Sequence, residues 1–188
     1  MNDASLSDMV FDVIKRRRVT RAFLPQPVDD ALLAQLVAAA RWASNASNRH
    51  IHKFLITRDP RRISLVRAFA PGLLAEPPAL IFILTDEVAW ARERLQPGDD
   101  ANAIDVGTAA QNMMVMAQAL GLGTCPVTSF SKIGVATVLE LPEGLVPELM
   151  LMVGHPQPVD RGLRTNAPKP LRVRDLTYWE VPGVHDPA

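Results

Sequence analysis

The sequence predicts an α+β protein in which helices and a sheet form packed layers. Several windows place apolar residues at helical spacing, and about four others are short apolar runs of strand length. The two kinds do not alternate in the regular βαβ manner, which points to α+β layers rather than a doubly wound sheet. With 188 residues, 48% of them apolar and 21% charged, the chain reads as one domain, residues 1–188, with enough apolar material for a core.

Leu6, Met9, Val10, Val13 and Ile14 share one helical face, and Ser5 with Asp8 has the form of a capping box. This helix runs into Lys15, Arg16, Arg17 and Arg18, cations suited to the negative end of the helix dipole. Pro25 and Pro27 then impose an extended link. A second helix is expected from Asp29 to about Ser44, with Val28 and Leu33 at staple spacing. Its buried stripe is Leu32, Leu33, Leu36, Val37 and Ala40. The small polar residues 44–48 offer side chains that compete for backbone hydrogen bonds, so a structured loop should follow.

Residues 53–57 read as a strand and residues 61–69 as a short helix. Residues 79–85 are apolar throughout and predict a central strand. Residues 100–120 predict a long helix that is apolar around much of its circumference, which must lie buried in a core or in a subunit interface. Gly121 and Gly123 end it. A short helix at 131–139 and an apolar strand at 148–154 complete the regular elements. The tail from Pro156 is rich in proline and arginine, yet includes Leu176, Tyr178 and Trp179, apolar groups that need a surface to pack on.

Composition narrows the function classes. The 20 basic and 20 acidic side chains balance, whereas duplex nucleic-acid binders carry a basic excess. The one cysteine, Cys125, excludes an internal disulfide and fits a reducing compartment. The opening residues lack the pattern of a secretory signal, and no apolar stretch nears the roughly 20 residues that span a bilayer. The expectation is a cytoplasmic protein with no membrane and no nucleic-acid partner.

Three segments could carry chemistry. In residues 16–21 the guanidinium groups of Arg17, Arg18 and Arg21 suit phosphate oxygens bidentately, although such a cluster taken alone is more often a solvated helix end. In residues 45–48 the amides of Asn45 and Asn48 offer donors and acceptors, as a pyrimidine-like ring edge requires; a capping loop is the other reading. His50 and His52 share a strand face, but no acidic or cysteine ligand accompanies them, so no metal is expected. In residues 121–129 the glycines permit close backbone approach, while Pro126 occupies the third glycine position of a dinucleotide fingerprint and argues against a Rossmann site. Cys125 has no activating partner in sequence and reads as a packed thiol. No serine-hydrolase, zincin or P-loop motif is present.

Taken in order, these segments resemble the nitroreductase family of flavin enzymes. The resemblance runs through Arg17 to Arg21, then Phe23 and Pro27-Val28. It continues through the Ala43–His52 loop, Asp105 to Asn112 with Gly121-Leu122-Gly123, and Leu141 to Gly144. The strand ending at Pro156 and Tyr178-Trp179-Glu180 complete it. It spans nearly the whole chain, from about Ile14 to Glu180; each piece is weakly specific and the ordered set fairly specific. It implies a mostly antiparallel central sheet flanked by helices, an intertwined homodimer, FMN at the subunit interface, and electrons from NADH or NADPH passed to a small acceptor.

By that resemblance Arg17, Arg18 and Arg21 contact the phosphate and flavin edge, with Val19 lending backbone. Asn45, Ala46 and Asn48 come from the partner subunit, and His50 is a further cofactor contact. Pro126, Val127, Thr128 and Ser129 lie beside the flavin ring, with an amide of Thr128 or Ser129 facing N5. Lys169 or Arg172 adds a late phosphate contact. No side chain is expected to be catalytic, because the cofactor performs the redox step. The sequence departs from the family pattern at Val19, Ser44, His50 and His52, which leaves the acceptor open. A flavin-storing protein and a dimeric phosphate-binding scaffold are the alternatives, since fold does not fix function.

Overall fold

The computed structural model describes residues 5–49, 51–93, 101–158 and 171–183, the side chain of Ser47 excepted. It divides into two units, residues 1–157 and residues 158–188.

The first unit is organised by four strands: β1 (His52–Thr57), β2 (Ala79–Asp86), β3 (Gly123–Val127) and β4 (Leu145–Gly154). They form one antiparallel sheet in the order β1-β2-β4-β3. Among the described residues six α-helices accompany it: α1 (Leu6–Arg16), α2 (Asp30–Arg41), α3 (Pro60–Arg67), α4 (Glu87–Arg92), α5 (Ala101–Ala119) and α6 (Lys132–Val138).

β2 and β4 lie inside the sheet and have helices on both faces, which explains why β2 shows no polar alternation. Successive side chains point to opposite faces. Ala79, Ile81, Ile83, Leu149, Leu151 and Val153 pack with Leu33 and Leu36 of α2 and Met113 of α5. Leu80, Phe82, Leu84, Met150 and Met152 pack with Ile63 and Val66 of α3 and Val135 of α6. The architecture is therefore helix–sheet–helix, the α+β arrangement that the sequence predicts.

Local signals act as expected at most boundaries. The Ser5–Asp8 capping box is formed. Asp29 is the N-cap residue of α2, although its side chain makes no capping bond, and Val28 and Leu33 are both buried at that end. Ser131 caps α6. Two features escaped the sequence reading. α4 begins where β2 ends, Asp86 accepting a bond from the Ala89 amide, and six residues are too few to show a helical period. β4 starts at Leu145 rather than near residue 148: the β2–β4 register shifts between Ile83 and Leu84, which leaves Glu148 as an extra residue between Pro147 and Leu149 and lets the strand run back past the proline.

Two groups of apolar side chains are exposed among the described residues. α1 buries none of its residues, and Leu6, Met9, Val10, Phe11 and Ile14 are all exposed. In the second unit, which holds a 3-10 turn at Val173–Asp175, Leu176, Tyr178 and Trp179 are exposed as well. Among the described residues no helix is long and apolar enough to cross a membrane.

Phe82 is the largest fully buried side chain of the central strands. Phe82→Ala is expected to cost about 3–5 kcal/mol of stability. The measurement is the urea unfolding midpoint, with an unchanged slope indicating that the native fold persists.

Candidate functional site

The basic segment leaves α1 and docks on the outer edge of β3. Val19 forms a parallel bridge with Thr124, and the Thr20 amide donates to the Thr124 carbonyl at 2.8 Å. Gly123 permits this approach: a Cβ there would lie 2.6 Å from Thr20 Oγ1. Further on, Leu24 N–H donates to His155 O and Gln157 N–H to Ala22 O, so the chain continues along the end of β4.

Docking sorts the arginines. Arg16 pairs with Asp12 at 2.8 Å on the solvent side of α1. Arg18 turns back and donates to the carbonyls of Lys15 and Arg17, which caps the helix end. Arg17 and Arg21 make no ion pair among the described residues, Arg17 half-buried and Arg21 exposed. They are the cations left available for an anion. Val19 is exposed, its backbone engaged by β3.

Pro126 limits how far this docking extends. Residues two apart in a strand aim their backbone groups at the same edge, so Thr124 and Pro126 both face outward. Pro126 has no N–H, and the outer ladder cannot gain a second donor from it. Beyond Val127, which is buried, Thr128 and Ser129 are exposed. The Ser129 carbonyl accepts from Gly72 N–H at 3.0 Å and the Thr128 carbonyl from Phe130 N–H at 3.1 Å. Neither the Thr128 nor the Ser129 amide is used by a loop or turn hydrogen bond among the described residues. The turn thus presents these amides on a fixed backbone, just past the end of the strand on which the basic segment docks.

Cys125 sits in the core under this edge. Burial pushes its thiol pKa up, and the nearby Arg21 charge opposes that only in part. The thiol is neutral and packed, as its sequence context suggested.

The 45–48 loop is built elsewhere. It follows α2 and contains a 3-10 turn at Ala46–Asn48, with Asn48 in the left-handed region at φ 54°. The Ala46 amide donates to both carboxylate oxygens of Asp105 in α5, at 3.0 and 3.1 Å. Asn45 Oδ1 is buried without a hydrogen-bond partner, the one such side-chain atom among the described residues. A buried carbonyl oxygen without a donor is costly, which marks the position as incomplete in the isolated chain. The loop then leads into β1, where His52 Nε2 lies 2.9 Å from Asn102 Oδ1.

One chain therefore has Arg17, Arg18, Val19 and Arg21 in the segment docked on β3 and residues 126–129 at the end of that strand, whereas Asn45, Ala46 and Asn48 belong to the loop between α2 and β1. β1 and β3 are opposite sheet edges, three strand intervals or about 14 Å apart. The loop is tied to Asp105 near the start of α5, whereas the β3 edge begins past its end. Ala117, which accepts from Leu122 N–H, lies about 18 Å along the axis. Arg172 in the second unit forms an ion pair with Asp175 at 3.0 Å. His50 and Lys169 lie outside the described residues. Thr20 and Asp105 shape the site without having been assigned a part from sequence; Gly123 was the available signal for the first, while nothing local signals the second.

Comparison with known proteins decides the family. The nitroreductase family model matches residues 14–71 and 65–155. The chain belongs to the nitroreductase family. It is thus an oxidoreductase by descent. An NADPH-dependent oxidoreductase of Staphylococcus epidermidis is 27% identical over 180 residues, 88% of this chain and 70% of that protein. An FMN reductase (NADPH) of Bacillus subtilis is 26% identical over 183 residues, 89% of this chain and 73% of that protein. Among solved structures, NfrA1 of B. megaterium superposes with a TM-score of 0.77 at 21% identity, covering 96% of this chain and 76% of that one. A Streptococcus pneumoniae nitroreductase family protein gives 0.76 at 20% identity, covering 90% and 98%. These likenesses establish the nitroreductase fold.

The buried thiol gives a pH signature. Its pKa is raised on folding, so its contribution to stability is complete below the unfolded thiol's pKa and is lost as pH rises through the higher folded value. Melting temperature measured across the alkaline range is expected to fall more steeply for the wild type than for Cys125→Ala. Parallel slopes would exclude a buried neutral thiol.

Proposed function

We propose that this nitroreductase-family protein is a cytoplasmic homodimer, each chain a single domain, that holds FMN. It uses NADPH or NADH to reduce a small organic acceptor such as a nitroaromatic or a quinone. The observation that carries this reading is that β3 has the segment with the unpaired Arg17 and Arg21 docked on its edge, and the unengaged amides of Thr128 and Ser129 just past its end. Cations suit a phosphate ester, and backbone N–H groups suit the electron-rich edge of a flavin ring. The relatives named for NADPH and FMN chemistry support the same choice.

The residues present fit FMN. Arg17 and Arg21 would hold the phosphate, with Arg18 joining if it releases the helix end. Val19, Pro126 and Val127 would form the wall beside the ring. Lys169 or Arg172 would add a late contact, Arg172 only by giving up Asp175. The unpartnered Asn45 Oδ1 has the character of an acceptor waiting for a ligand donor. Asn45, Ala46, Asn48 and His50 would come from the second subunit, since each chain keeps its own loop at the far sheet edge. The uncovered apolar face of α1 gives such a dimer its contact area. When bound, FMN supplies two-electron hydride exchange at N5. The chain's own residues bind, orient and shield it, and none is assigned a proton-transfer role.

The purified protein should be yellow and should bleach anaerobically with NADPH or NADH. Colourless protein that refuses added FMN would defeat the proposal, and bound FMN that resists both donors would leave a flavin-storing protein. A hydrogen bond to a charged group contributes about 1.5–3 kcal/mol, so Arg17→Ala should weaken FMN binding about tenfold or more. Arg61→Ala, on α3, should leave it unchanged.

Chain mixing tests the composite site. Arg17→Ala and Asn45→Ala homodimers should each bind FMN poorly. A mixed dimer would place both lesions in one site and leave the other intact, and so regain strong binding at half the wild-type stoichiometry. No recovery on mixing would show that one chain builds each site alone.

A further inference from the structure

We propose that Asp105 is a positioning residue that fixes the 45–48 loop in the shape that receives the flavin; this rests on the flavin reading above. Asp105 lies on α5 and is only 5% exposed. No Lys, Arg or His nitrogen lies within ion-pair distance of it among the described residues. Burying a carboxylate without a cation is unfavourable unless its hydrogen bonds are strong. Its one side-chain hydrogen-bond donor among the described residues is the Ala46 amide, shared between both oxygens at 3.0 and 3.1 Å. A neutral side chain would suit the helix and the core at least as well. What the anion adds is a charge-assisted grip on one loop N–H.

The grip belongs to a stripe. Asp105, Thr108 and Asn112 stand at i, i+3 and i+7, one face of α5. Thr108 Oγ1 donates to Ser44 O at 2.9 Å, and Asn112 Nδ2 to Ala39 O at 3.2 Å. Three polar side chains thus hold the backbone from the end of α2 to Ala46, with sequence separations of 59 to 73 residues. The loop needs an external hold, because Asn48 adopts a conformation that non-glycine residues visit at a cost and Asn45 Oδ1 lacks a partner. A loop fixed before the ligand arrives loses less conformational entropy on binding it.

Wild type, Asp105→Asn, Asp105→Leu and Thr108→Val are compared by two readouts. One is hydrogen exchange of the Ala46 amide in FMN-free protein; the other is FMN affinity from quenching of flavin fluorescence. Asp105→Leu should expose the Ala46 amide to exchange and weaken FMN binding about tenfold. Asp105→Asn, which keeps an acceptor for that amide, should recover most of both. A role limited to overall stability would lower the melting temperature and leave FMN affinity of the folded protein unchanged. That result, or unchanged Ala46 exchange, overturns the proposal. If Asp105→Leu does not fold, Thr108→Val decides: faster exchange across residues 43–49 with weaker FMN binding supports the proposal, and wild-type values of both overturn it. Should wild type bind no FMN, the flavin reading fails. The exchange comparison then still decides whether Asp105 holds the loop.

Discussion

The hydrogen bond from Thr20 N–H to Thr124 O is the constraint on which the candidate site turns. It brings a basic stretch, otherwise the ragged end of an exposed helix, onto the edge of a rigid sheet. Without it, nothing in the residue types of that stretch would separate Arg17 and Arg21 from solvated surface charge. Gly123 is the permission for this bond, since any Cβ there would collide with the Thr20 side chain. The placement of a charged group in space is thus decided by the absence of a side chain on a neighbouring strand.

α5 has the complementary part. Its first half presents the polar side chains that hold the loop after α2, and its end feeds directly into β3. The same helix supplies Met113 and Ala117 to the core beneath β2 and β4. Loop and basic edge are therefore referenced to one rigid element, at opposite ends of it. In a two-fold dimer each would meet its counterpart from the other copy, and a shift of α5 would alter both halves together.

Sequence patterns revealed most of the architecture for identifiable reasons. Ala79 to Asp86 is apolar on both faces because two helical layers cover it, and that uniformity is visible without coordinates. The Ser5–Asp8 box and the Ser131 cap are local hydrogen-bond arrangements, so local sequence contains them. Asp105 was not legible as a loop anchor, because its partner lies 59 residues away and a carboxylate early in a helix suits the dipole in any case. The capping turn of Arg18 was equally hidden: an arginine that grips a helix end and one that waits for phosphate have the same residue type and neighbours. The strong α1 stripe was read correctly as one face, but no pattern could tell whether the chain itself covers it.

Pro126 has a consequence beyond its place beside the turn. An edge strand is a template on which another polypeptide can add, and β3 is such an edge. The incoming Val19–Thr20 backbone occupies one end of that template, and the proline ring removes the next outward donor. Between them they leave a foreign strand little to zip onto. The basic segment therefore also shields the sheet edge, so that loosening it would uncover a template for strand addition.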